Sequence, residues 1–161
     1  MNRIAVLCGT GMSAFSKSLS SLVESRSELM FAESEWGEVP IKVVNTATGV
    51  VFVIDRHHSP GDSRKPPHAI EHRANVHATL SCNPDLIVSV NSVGSMIETM
   101  PPGTIGVGGG LLDLSEKPWT FHNEDAFHSD RTNPFNSYYS DLCVETLSKK
   151  QGRTPSGVVV A

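Results

Sequence analysis

The sequence has little excess charge of either sign, few aromatic residues, three cysteines and no long apolar run, and each shortage excludes a class of protein. A formal net charge of -4 and a pI near 5.9 leave no general attraction for nucleic acid or an anionic membrane, so any phosphate must be gripped by local groups. The cysteines, Cys8, Cys82 and Cys143, are odd in number, far apart and without a CxxC, which fits neither a disulfide framework nor a zinc knuckle. A reducing cytoplasm is the expected home. Trp36 and Trp119 read as packing residues, not as a pair that stacks bases. His77 and His122 read as surface or satisfied polar residues. The first apolar stretch stops at Gly9-Thr10-Gly11, too early for a signal-peptide core, and nothing reaches the length of a membrane span.

What is present is a series of β-type runs separated by turns and helical stretches. Residues 4–7 and 86–90 are apolar without alternation, as in strands buried on both faces of a parallel sheet. Residues 41–44 and 50–54 are rich in β-branched side chains and flank a glycine-containing turn, which predicts a hairpin. A proline-rich loop over 55–67 leads into a helix expected over 68–80, and a second helix is expected over 137–151, with Lys149 and Lys150 in its last turn and Gly152 beyond. Residues 157–161 read as a further buried strand. The alternation predicts an α/β fold: a mostly parallel, mixed, twisted sheet flanked by helices, in one domain over residues 1–161. A domain rarely ends on a bare apolar strand, so the polypeptide is expected to continue in the full protein.

In open α/β sheets ligands lie beyond the carboxyl ends of the strands, so the polar residues that follow each strand carry the chemistry. Gly9-Thr10-Gly11 offers close backbone approach and a hydroxyl. Arg56-His57 offers a planar bidentate donor and an imidazole. Asn91-Ser92 adds amide and hydroxyl donors, with Val93-Gly94 as a flat, uncrowded wall for a planar base. These groups are neutral or cationic, which suits an inorganic phosphate that must stay nucleophilic.

The runs VLCGTGM (6–12), DRH (55–57), PPHAIEHRANVHA (66–78), VNSVGSM (90–96) and PPG (101–103) resemble, in order and spacing, the N-terminal part of the purine nucleoside phosphorylase and 5'-methylthioadenosine phosphorylase family. The resemblance implies a pentosyltransferase that uses inorganic phosphate as co-substrate, with no cofactor and no metal. It implies phosphate contacts from Thr10, Arg56, His57, Asn91 and Ser92. It places Val93, Gly94 and His72 at the nucleoside, and His128 in the substrate pocket of a neighbouring subunit. Phe135 would lie near that boundary, in a homotrimer or a hexamer. The chain departs from the family pattern at His58 for glycine, His72 for tyrosine, Thr104 for aspartate, and the run Gly108-Gly109-Gly110. No residue matches the donor that protonates the departing purine, so catalysis is expected to need a C-terminal part.

Three rival readings follow from the same letters. A hydrolase of this fold would use water in place of phosphate, and a non-catalytic interaction remnant would need no proton donor. The spacing His68-x-x-Glu71-His72 matches a zinc peptidase, if one helix carries both histidines on one face.

Overall fold

Strand β1 (Asn2–Cys8) sends its side chains alternately into two cores. Ala5 joins Val39, Ile41, Phe52 and Ile54 beneath Ala74 and Ala78 on one face; Val6 and Cys8 meet Val53 on the other, with Met12 and Phe15 packed against them. Burial on both faces is why this run shows no polar alternation. A computed structural model describes residues 2–12, 14–24, 27–60, 63–115 and 120–160, so Trp119 and Ala161 lie outside the described residues. The chain divides into two compact units, Met1–Ser92 and Val93–Ala161.

In the first unit β1 lies between β4 (Gly49–Asp55) and β5 (Leu86–Val90), parallel to both. The expected hairpin forms between β3 (Val39–Asn45) and β4, with Ile41 opposite Ile54. Thr46 closes its turn: its N–H donates to the Gly49 carbonyl at 2.8 Å, and its Oγ1 accepts the Gly49 N–H at 3.0 Å. An edge strand, β2 (Ser27–Ala32), pairs antiparallel with β3, giving the order β2-β3-β4-β1-β5.

Helix α1 (Phe15–Leu22) packs on β2 and β3, and α2 (His72–Ser81) packs on β2, β3 and β4. Arg3 ties the start of β1 to the end of α2, its guanidinium donating to the carbonyls of Cys82 and Asn83. A cation at a helix carboxyl end is favourable because the last carbonyls lack partners within the helix. Trp36 is indeed a packing residue, set against the core beneath α2. His77 is not a satisfied polar residue. Its Nδ1 is buried without a hydrogen-bond partner and its ring tilts against Trp36 at 6.2 Å.

Helix α2 starts later than the sequence suggests. Pro66 and Pro67 open a short 3-10 turn over Pro67–Ala69, then Ile70 and Glu71 are extended and Glu71 caps the helix by accepting the Arg73 N–H. Proline disfavours helical backbone in the residue before it, so Pro66 is extended, and the extended backbone at Ile70 and Glu71 separates the 3-10 turn from α2. His68 and His72 therefore do not share a helix, and Glu71 is held by Arg73 at 2.9 Å. The geometric basis of the zinc-peptidase reading is lost.

In the second unit β6 (Val107–Leu112) pairs in parallel with β7 (Ser156–Val160), and α3 (Ser137–Gln151) packs on β6. Asn136 caps α3 by accepting the Tyr139 N–H, and Gly152 ends it at φ 86°, a conformation that glycine adopts freely. Phe135 lies against Gly108, where a Cβ would stand 3.4 Å from the ring, so the glycine run makes room for an aromatic side chain. Among the described residues no helix is long and apolar enough to cross a membrane.

Candidate anion-binding site

Three strand ends of the first unit meet at the Gly-Thr-Gly turn. After β1, residues Thr10–Met12 form a short 3-10 turn, with Gly9 N–H donating to the Val90 carbonyl at the end of β5. Arg56, after β4, lays its guanidinium over Gly9: a Cβ there would stand 3.3 Å from Nη2 and 3.6 Å from Nε. Ser92, after β5, lies against the other glycine, with Oγ 2.6 Å from where a Gly11 Cβ would be. Thr10 sits between the two contacts and is exposed. The absence of side chains at 9 and 11 thus admits both donors.

Among the described residues no carboxylate pairs with Arg56. Asp55 binds Arg64, Nη1 to Oδ2 at 2.7 Å and Nη2 to Oδ1 at 2.8 Å, while Glu71 binds Arg73. The Asp55 and Glu71 carboxylates are therefore held by other arginines. Among the described residues Arg56 has no ion-pair partner, and its Nε is buried without a hydrogen-bond acceptor. A buried cationic donor without an acceptor is costly, and an anion is the group that would satisfy it.

The remaining residues fall into three groups. His57 is buried, with its N–H on Asp55 Oδ1 at 2.9 Å; its Nδ1 lies 2.8 Å from the Lys65 carbonyl, and only a protonated Nδ1 can donate there. That bond sets the ring and ties it to the loop. His72, the first residue of α2, lies within electrostatic reach of Arg56 and His57; burial first, and then the Arg56 charge, hold its imidazole below the ordinary value. Asn91 is exposed and donates to Ser89 Oγ at 3.0 Å, so its amide is engaged along its own strand and not at the turn. Val93, Gly94 and His128 belong to the second unit and are exposed there, and a Cβ on Gly94 would meet nothing. His58 causes no backbone strain, because Glu24 and Asn83 are the non-glycine residues with positive φ among those described.

Sequence reasoning missed Asn75, whose side chain reaches the Arg56 carbonyl, because helical spacing does not reveal a hydrogen bond to a loop 19 residues away. A half-open pocket of about 360 Å³ lies beside the cluster and is lined by Cys8, Met12, Ser16, Asp55, His58 and Arg64 among others. Thr10, Arg56 and Ser92 do not line it. The cluster forms an exposed cradle, not a closed cavity.

No protein-family model matches the chain. A probable S-methyl-5'-thioinosine phosphorylase of Methanothermobacter thermautotrophicus is 32% identical over 159 residues, 98% of this chain and 53% of the relative. The 6-oxopurine nucleoside phosphorylase of Pyrococcus furiosus is 30% identical over 84% of this chain and 51% of its own length. Over most of its length the chain is similar to purine nucleoside and 5'-methylthioadenosine-type phosphorylases. It spans about half the length of the curated relatives it matches. Among solved structures, the methylthioadenosine phosphorylase of Schistosoma mansoni in complex with adenine matches with a TM-score of 0.75 at 16% identity, over 100% of this chain and 65% of that one. A methylthioadenosine phosphorylase from an antarctic soil metagenomic library matches with a TM-score of 0.73 at 20% identity, over 99% and 54%. At such identities the likeness speaks for the phosphorylase fold.

Proposed function

We propose that this chain supplies the phosphate-holding half of a phosphorylase that cleaves a purine nucleoside, or a nucleoside of the 5'-methylthioadenosine type, into free base and sugar 1-phosphate. The observation that carries the reading is the meeting of Arg56 and Ser92 at the two glycines of one turn, with the Arg56 guanidinium paired to no carboxylate among the described residues. In the reaction a phosphate oxygen bonds to the anomeric carbon as that carbon's bond to the purine nitrogen breaks. The electron pair leaves with the purine, which takes up a proton. The sugar passes through an oxocarbenium-like state, stabilised by the phosphate dianion.

Arg56 would bind two phosphate oxygens, Thr10 and Ser92 would donate hydroxyls, and the turn's N–H groups would complete the cradle. His57, buried and bonded to the Lys65 carbonyl, would hold the loop and its own imidazole toward the anion. Asn91 has a role only if its amide leaves Ser89. His72, Val93 and Gly94 would flank the nucleoside, and His128 would enter a neighbouring subunit's pocket in a homotrimer or hexamer. A cytoplasmic protein accords with the three free cysteines. The proton donor to the purine would come from a C-terminal half. General acid catalysis contributes roughly 100- to 10,000-fold, so this chain alone should turn over little or nothing.

The test measures free purine released by the chain alone and together with that half, with and without inorganic phosphate. Phosphate-dependent release by the two halves is expected. Equal release without phosphate would make the protein a hydrolase, and no release under any condition would make it an interaction module. Phosphate-dependent release by this chain alone would overturn the division of labour.

A further inference from the structure

Asn75 is a buried polar side chain whose hydrogen bonding is only half satisfied. It lies on α2 at 2% exposure, with Nδ2 donating to the Arg56 carbonyl at 3.2 Å and to the Glu71 carbonyl at 3.4 Å. Both neighbours are carbonyl acceptors, so the amide nitrogen must face them and the orientation is not interchangeable. Its Oδ1 is then buried without a partner. An apolar side chain of similar shape would avoid that penalty, so burial alone gives no reason for an asparagine here.

What the asparagine gains is a hold on Arg56. The Arg56 N–H donates to the Cys8 carbonyl at the end of β1 at 3.1 Å, and its carbonyl accepts from Asn75 on α2. The peptide groups on both sides of the Arg56 Cα are thus pinned, one to the strand that feeds the Gly-Thr-Gly turn and one to the helix covering the sheet. The side chain that leaves this anchored point lies over Gly9 with its Nε lacking an acceptor.

We infer that Asn75 is a positioning residue: through the Arg56 carbonyl it holds the guanidinium over Gly9 in readiness for phosphate. The inference rests on the phosphate reading of Arg56 given above. It assigns Asn75 no contact with the anion.

The experiment titrates the isotopically labelled chain with inorganic phosphate and follows the amides of Gly9 and Gly11 and the Nε–H of Arg56. Asn75→Ala and Asn75→Leu remove the donor and should weaken phosphate binding about five- to tenfold, the worth of roughly one hydrogen bond. In an Arg56→Ala background the same substitutions should have no further effect. Thr79→Val is the control. It removes an equally buried hydroxyl that donates to the Asn75 carbonyl at 2.7 Å, and should lower stability while leaving phosphate affinity within about twofold. Unchanged affinity in the Asn75 variants, with affinity lost in Arg56→Ala, would overturn the inference and leave the phosphate reading standing. Unchanged affinity in Arg56→Ala would overturn both. Should the Asn75 variants fail to fold, the wild-type side-chain amide decides: its signals must move with Arg56 Nε–H on a single phosphate isotherm, and silence overturns the inference.

Discussion

The residues of the cradle divide into those that touch and those that make touching possible. Gly11 belongs to the second kind. A Cβ there meets the tip of the Ser92 side chain, which can rotate away, and meets no backbone atom within 4 Å. Gly11→Ala should therefore cost less than about 1 kcal/mol in urea unfolding, yet weaken phosphate binding severalfold by turning the Ser92 hydroxyl aside. Adding Ser92→Ala to that variant should cost nothing more, because the donor is already lost; a further loss would show that Ser92 acts without contact to the turn. His72 provides a second test. Its lowered pKa means that the unfolded chain takes up a proton first as pH falls, so this group costs nothing well above pH 6.5 and lowers stability progressively below it. In His72→Gln, denaturation followed from pH 7.5 to 5 should lose stability less steeply than wild type; parallel curves would contradict the assigned burial. The Glu71–Arg73 pair does not confuse this reading, since the lowered Glu71 carboxyl titrates in more acid solution. At this scale much was legible, because Gly-Thr-Gly, Arg56-His57 and Asn91-Ser92 stand in the sequence directly after strands. The engagement of Asn91 with Ser89 and of Asn75 with Arg56 was not, since both depend on rotamers and on packing across the fold.

Elements were legible where burial dictates composition. The runs at 4–7 and 50–54 face core on both sides or nearly so, and their uninterrupted apolar letters mark them; the run at 86–90 is an edge strand that leaves Ile87 and Ser89 exposed, not the doubly buried strand its letters suggest. Helix α3 was legible to the residue, through Lys149 and Lys150 in its last turn and its Gly152 stop. Strand β2 was not: as an edge strand whose side chains are exposed up to Ala32, it carries little of the pattern that burial imposes. Helix α1 was missed because four of its eight residues are serines, poor helix formers whose hydroxyls compete for backbone; Ser20 and Ser21 bond back to the carbonyls of Ser16 and Lys17. The start of α2 was misplaced because the extended backbone at Ile70 and Glu71 leaves no mark in the apolar spacing. The register of β1 against β4 has its own test. A Cβ on Gly49 would run into the carbonyl of Asn2, a backbone atom that cannot rotate away. Gly49→Ala should cost roughly 1–3 kcal/mol or more of unfolding free energy; a stable, unshifted variant would contradict the pairing of Asn2 with Gly49.

The whole molecule poses a question of assembly. Thr10, Arg56, His57, Asn91 and Ser92 all lie in the first unit, so that unit carries the proposed phosphate chemistry by itself, together with His72 at the nucleoside. Val93, Gly94 and His128 lie in the second, and the proposal draws the proton donor to the purine from neither. The phosphate half and the leaving-group half of the proposed reaction are thus separable, and phosphate binding can be measured without turnover. The decisive measurement is a titration of the labelled 161-residue chain with inorganic phosphate, read at Gly9, Thr10, Gly11, Ser92 and the Arg56 side chain. The account predicts that all five respond along one isotherm, weak but saturable, and that Arg56→Ala weakens it by about tenfold or more without removing it. Responses at these groups with different midpoints, or none while signals elsewhere move, would contradict a single cradle built from three strand ends.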